Sequence, residues 1–323
     1  MKNFAFTMAE ILLSLTIIGV VAAITLPSLT GNINERTWNT QRKALYARMS
    51  QAIALMPALN GYGTTSEGTD SSAPVDTAAE TFVTGGLSKV LKINNICDNE
   101  HLEDCGVPTS ITNMVGTRIN TPAKLSDLNQ LNVNVVNGNV QGGSYVQFDT
   151  KAAAFETANG ETILAYYNPS CRGSLNTTTT TQFQPMMCAN FVYDLNGSKG
   201  PNTVGKDIGF MSVFYPSDPK LVAPYPYQRD LPEKHNYTTA NSACTKEDPE
   251  YRAPSVEEMA SIFTNRVLVS DNVHIDPSGT IYTTTTLVAS PQGKKIWYFC
   301  TDVGYANTWQ SLTGQFAVRC VKR

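Results

Sequence analysis

The run from Phe6 to Leu29 is apolar except for one charge, Glu10, and that pairing of run and charge constrains the chain more than any other feature. At 1.5 Å per residue, a helix over this run extends about 36 Å, against a hydrocarbon core of about 30 Å. With Lys2 ahead of it, the run reads as a membrane-crossing segment with a cytoplasmic N-terminus. Three readings compete: a secretory signal cut near Val21-Ala22-Ala23, a plain anchor, and a short leader removed before Phe6. Glu10 separates them, because a carboxylate inside an apolar span costs about 2.5–3.5 kcal/mol and calls for a partner. The first two readings supply none. Cleavage before Phe6 frees an α-amine, and that amine on one subunit can pair with Glu10 of its neighbour. In the low dielectric of a helical bundle such a pair is favoured and fixes the axial stagger between subunits.

The helix is expected to continue over residues 30–58. Trp38, Leu45, Met49, Ile53 and Met56 recur at spacings of three, four and seven, one face of an amphipathic helix. Pro27 removes a backbone donor and should kink or locally open the helix, and Pro57 with Gly61–Gly63 should end it.

The stretch from Ala5 to Pro27 resembles the cleavage and methylation segment of type IV pilins and type II secretion pseudopilins. With Phe6 as first mature residue, Glu10 is fifth, Gly19 fourteenth and Pro27 twenty-second, the places that family uses. The family has Gly before the cut, where this chain has Ala5. The resemblance implies processing and N-methylation at Phe6, with Glu10, Gly19 and Pro27 serving assembly. It also implies an inner-membrane start, with the N-terminus cytoplasmic, followed by a periplasmic or cell-surface filament. Implied partners are other pilin or pseudopilin subunits, a prepilin peptidase and methylase, and an inner-membrane assembly platform with its ATPase.

Residues 59–214 read as the globular head. After a loop rich in Gly, Ser, Thr and Asp, a short helix is expected near Thr81–Leu91, with Val83, Leu87 and Leu91 on one face. Asn159-Gly160 between two apolar runs predicts a hairpin, and Ala189–Tyr193 a strand. The segment DLNGSKGPNTVGKD follows, where Asp194, Asn196 and Asp207 are oxygen donors on a Gly-rich loop. Calcium takes six to eight such oxygens, yet the spacing lacks the EF-hand pattern and its closing Glu. A tight turn braced by Asx side chains is the preferred reading, with calcium the one cofactor the sequence allows.

Residues 215–232 hold five prolines, so the stretch reads as an extended linker or as an excursion over one surface. Beyond it, Ser255 with Glu258 three residues later forms a capping box. GTIYTTTT, KIWYFCTDVG and QFAVRCVKR read as strands. Residues 233–323 resemble bacterial C-type-lectin-like domains at Arg252, Pro254, Ser255, Glu258, Trp297, Tyr298, Val318, Arg319 and Cys320, with Thr283 where a tryptophan is expected. The fold class implied is α+β: a long transmembrane and amphipathic helix on an antiparallel-sheet pilin head, then a smaller lectin-like α+β domain. The alternative function that follows is a filament-displayed adhesin recognising a surface glycan or protein.

All seven cysteines lie between Cys97 and Cys320. In an exported chain, local bridges such as Cys97–Cys105 and Cys171–Cys188 are expected, and the odd count leaves one thiol free or intermolecular. The lectin-like resemblance implies Cys244–Cys320, leaving Cys300 over, with Cys300–Cys320 as the alternative. Charged residues are 16% of the chain against roughly 25% in an average soluble domain, and the net charge is −3. No basic block exists to neutralise phosphates, so nucleic acid is not expected as a partner. His101, His235 and His274 are scattered, and Ser217 to Lys220 matches S-x-x-K in letters only. No catalytic constellation is legible, and the chain is read as a non-enzyme.

Overall fold

The computed structural model describes residues 8–59, 78–120, 152–167, 187–214, 219–224, 228–230, 232–269, 281–290, 293–300, 305–309 and 315–322. They divide into two compact units, 1–45 and 46–323.

Helix α1, Met8–Leu59, runs for 52 residues, and its helical range passes through Gly19, Pro27 and Pro57. Of the expected stripe, Leu45, Met49, Ile53 and Met56 are fully buried, whereas Trp38 is half-buried. From Tyr46 onward the helix is fastened to the body by two side chains. Tyr46 Oη donates to Leu221 O at 3.2 Å, and Arg48 grips the Glu161 carboxylate with both guanidinium nitrogens. The segment expected as one helix near 81–91 is a composite: α2, Ala78–Thr81, then a π turn over Phe82–Gly86 and a 3-10 turn over Leu87–Lys89. Its apolar face is as expected, with Val83, Leu87 and Leu91 all buried.

The body is built on a six-stranded sheet in the order β1-β4-β5-β6-β7-β8, antiparallel throughout. Its strands are β1 Ile93–Cys97, β4 Ala153–Thr157, β5 Thr162–Tyr167, β6 Met187–Asp194, β7 Ile208–Phe214 and β8 Lys220–Val222. The Asn159-Gly160 hairpin joins β4 to β5, and Gly160 holds the left-handed φ of +84° that the turn needs. Every residue of β5, β6 and β7 is buried, because both faces of the sheet are covered. On one face Phe82 stacks on Tyr167 at 4.4 Å between ring centroids. On the other, Leu164, Tyr166, Val192 and Phe210 share a core with Val256, Met259, Ile262 and Leu268.

The remaining described strands form three smaller sheets. β2 Ser110–Thr112 pairs with β3 Arg118–Asn120. β9 Gln228–Asp230 and β10 Tyr251–Arg252 flank β14 Arg319–Lys322. β11 Ile281–Ser290, β12 Gly293–Cys300 and β13 Tyr305–Trp309 form a meander. Helices α3 Tyr237–Glu247, α4 Val256–Thr264 and α5 Arg266–Val269 complete the set. The capping box is formed in both directions: Glu258 N donates to Ser255 Oγ at 3.2 Å, and Ser255 N to Glu258 Oε2 at 2.8 Å.

The expected α+β fold class is corrected here. Among the described residues no helix is long and apolar enough to cross a membrane, so the transmembrane span expected over 6–29 is not found. Outside α1 the helices are 4 to 11 residues long, and the body is mostly antiparallel sheet. Nor does a smaller α+β domain stand apart after the prolines. Val256, Met259 and Val321 lie in the same core as Leu164 and Phe210, because α4 packs on the large sheet.

Candidate functional site

Two places gather the residues singled out from sequence. The first is the N-terminal half of α1. Glu10, Gly19 and Pro27 lie on this helix, while Ala5 and Phe6 fall outside the described residues. Met8, Leu12, Leu15, Ile17, Ile18, Val20 and Val21 are between 54% and 80% exposed. Single exposed apolar side chains are ordinary, but seven within fourteen positions of one helix are the kind of exposure that marks an interaction site.

The second is the loop from Asp194 to Asp207 between β6 and β7. Asp207 is fully buried, and its two oxygens accept from Asn202 N at 2.7 Å and Thr203 N at 2.8 Å. It is therefore the brace of the turn, as the Asx reading expects. Asp194 is 2% exposed, and its Oδ1 accepts from Asn196 N at 3.1 Å. Asn196 donates its amide to Lys199 O at 2.7 Å and Gly200 O at 3.2 Å. The structure thus brings Asp194 and Asn196 together and spends Asp207 on backbone. Burial pushes the Asp194 carboxyl up to about 7, with the Asp207 charge adding to it and the Asn196 and Gly197 peptide N–H groups opposing. Sequence reasoning passed over Asn202, the one described non-glycine residue with positive φ, at 49°. The N-T pair in the Gly-rich segment was its only trace.

Among the described residues no group of three or more His, Cys, Asp or Glu side chains converges as a metal centre. Cys97–Cys105 and Cys244–Cys320 are bonded. Cys320 is thereby unavailable to Cys300, so that alternative is ruled out. Cys188 is also disulfide-bonded, and Cys171 lies outside the described residues. No protein-family model, curated protein or solved structure matches the chain, so its class rests on its own residues.

Proposed function

We propose that the chain is a structural subunit, of the minor pilin or pseudopilin kind, in a bacterial type IV pilus or type II secretion filament. The observation that carries this reading is the apolar arm of α1, which exposes Met8, Leu12, Leu15, Ile17, Ile18, Val20 and Val21 on the helix whose sequence carries the single charge Glu10. A surface of that composition is covered in a working protein, and neighbouring copies of the same arm are apolar, helical and of equal length. Gly19, with Ala22 and Ala23, supplies the small side chains that let such helices approach closely. Removal of residues 1–5 would free the Phe6 amine for Glu10 of the next subunit, tying processing to docking. The body then rides outside the helical core, and no chemistry is required of it. Its partners would be other filament subunits, the peptidase and methylase that process it, and the assembly platform with its ATPase.

The test is the mature N-terminus, read by mass spectrometry on membrane and sheared-surface fractions. A chain beginning at N-methylated Phe6 is the expected result. A chain beginning near Ile24, or still at Met1, would overturn the proposal. Glu10→Gln should lower incorporation into filaments without lowering the amount of folded protein.

A second reading adds display of a binding surface by residues 233–323. What supports it is the Cys244–Cys320 bridge, the pairing that the lectin-like resemblance implies. Glycan-array binding by the intact chain tests it, since a truncation before α4 would strip the shared core.

A further inference from the structure

The chain contains four Asn-Gly pairs, beginning at Asn60, Asn137, Asn159 and Asn196. In such a pair the glycine's peptide nitrogen can attack the asparagine side-chain carbonyl, because no Cβ hinders the approach. Asn159-Gly160 and Asn196-Gly197 lie among the described residues, and the structure holds them in opposite ways.

Asn196 is locked. Its amide nitrogen, the leaving group of that attack, donates to Lys199 O at 2.7 Å and to Gly200 O at 3.2 Å. Its carbonyl oxygen is shut off from solvent with no donor beside it, so negative charge developing there would go unmet.

Asn159 is the reverse. It is exposed at the tip of the β4–β5 hairpin, and the space that a Cβ on Gly160 would take is open to 4 Å, so water reaches the turn. Its side chain faces the Arg48 guanidinium, which carries donors only. The amide oxygen therefore accepts, from Nη2 at 3.2 Å and also from Nη1. Arg48 is itself held by the Glu161 carboxylate. A fixed cation on that oxygen polarises the amide carbon and stabilises the oxyanion formed when the carbon is attacked. One bond opposes the attack: Gly160 N donates to Thr157 O at 2.9 Å and must first let go. At an exposed hairpin tip, that release is a local opening.

We propose that Asn159 is a site of spontaneous deamidation promoted by Arg48. Gly160 N bonds to Asn159 Cγ, the Cγ–Nδ2 bond breaks, and the amide nitrogen leaves as ammonia with the proton that Gly160 N gives up. Water then opens the resulting cyclic imide at either carbonyl, giving aspartate or isoaspartate. No oxidant or reductant takes part. Either product sets a new negative charge against the guanidinium that ties α1 to Glu161, so the change falls on the joint between helix and sheet. This assignment goes beyond the filament reading and does not depend on it.

The experiment incubates the full chain in mildly alkaline buffer, folded and in urea, and maps its peptides by mass spectrometry for replacement of NH2 by OH. Folding should slow conversion of Asn196 by at least about 10-fold relative to urea. Asn159 should keep its urea rate or exceed it. Arg48→Gln should slow Asn159 in the folded chain by about 5-fold and leave Asn196 unmoved. Equal protection of Asn159 and Asn196 by folding would overturn the proposal, and that comparison needs no variant. So would an Arg48→Gln chain, folded by circular dichroism, that converts Asn159 as fast as the wild type.

Discussion

Asn190 on β6 and Asn265 at the end of α4 exchange a reciprocal pair of hydrogen bonds, each amide nitrogen 2.9 Å from the other's carbonyl oxygen. Both are buried, and the network closes around them: Ser212 Oγ donates to Asn190 Oδ1 at 2.8 Å and meets Ser261 Oγ at 2.7 Å. This is how α4 is registered on the large sheet. An apolar face alone would hold the helix but let it slide, whereas a satisfied polar pair specifies one position. Asn265→Ala should lose about 1–3 kcal/mol for each amide group left unpaired on Asn190. The double variant Asn190→Ala with Asn265→Ala should cost less than the sum of the singles, and urea denaturation measures both.

Acid should loosen the same docking from its other end. Glu257 on α4 is 4% exposed and receives a hydrogen bond from Lys220 Nζ at 2.9 Å. Burial alone would raise its carboxyl, but the Lys220 bond, with backbone and Ser255 hydrogen bonds, holds it below its ordinary value of 4.5. A depressed carboxyl stabilises the fold above its unfolded value, and the gain is lost as pH falls through the folded one. Melting temperature should therefore decline below pH 4.5. Glu257→Gln should lower stability at pH 7 and flatten that decline, and a variant with the wild-type slope would remove Glu257 from the cause.

The two described bridges should differ in worth. Cys244–Cys320 closes 76 residues and Cys97–Cys105 only 8. In the chain-entropy picture these correspond to roughly 4–5 and roughly 2–3 kcal/mol of stability. Paired Ser variants, compared by urea denaturation, should rank in that order.

Gly209 should resist enlargement. It lies opposite Tyr193 in the β6–β7 register, and a Cβ there would fall within the Tyr193 ring and hydroxyl. Gly209→Ala should cost about 1–3 kcal/mol as overpacking. Tyr193→Phe should not rescue it, because the ring carbon Cζ also stands in the way. Alanine at 209 in a Tyr193→Ala chain should be close to neutral relative to Tyr193→Ala alone.

Local signals were legible in the sequence, and each has a short-range cause. The 3.6-residue spacing of Leu45, Met49, Ile53 and Met56 marks the buried stripe of α1. Asn159-Gly160 marks a turn because Gly160 must take positive φ, and Ser255 with Glu258 marks a helix start because each side chain reaches the other's peptide N–H. What stayed hidden is long-range. Asn190 and Asn265 are 75 positions apart, and Lys220 and Glu257 are 37. No periodicity announces such pairs, so the prolines of 215–232 looked like a boundary although the core is shared across them. At the loop, oxygen count drew attention to Asp207, but only the hydrogen bonds show that it is already occupied by the peptide N–H groups of Asn202 and Thr203.

The last strand in chain order, β14, is the middle strand of its sheet, between β9 and β10. For a chain synthesised from its N-terminus, this sets a timetable. Until residues 319–322 arrive, β9 and β10 have no partner in that sheet, Val318 and Val321 are missing from the interior, and Cys244 has no Cys320 to meet. Closure of this region is thus the final folding event, and in the interval the Cys244 thiol is open to oxidation by the wrong partner, Cys300 among them. An oxidoreductase or chaperone acting on this chain would find its work concentrated in that window.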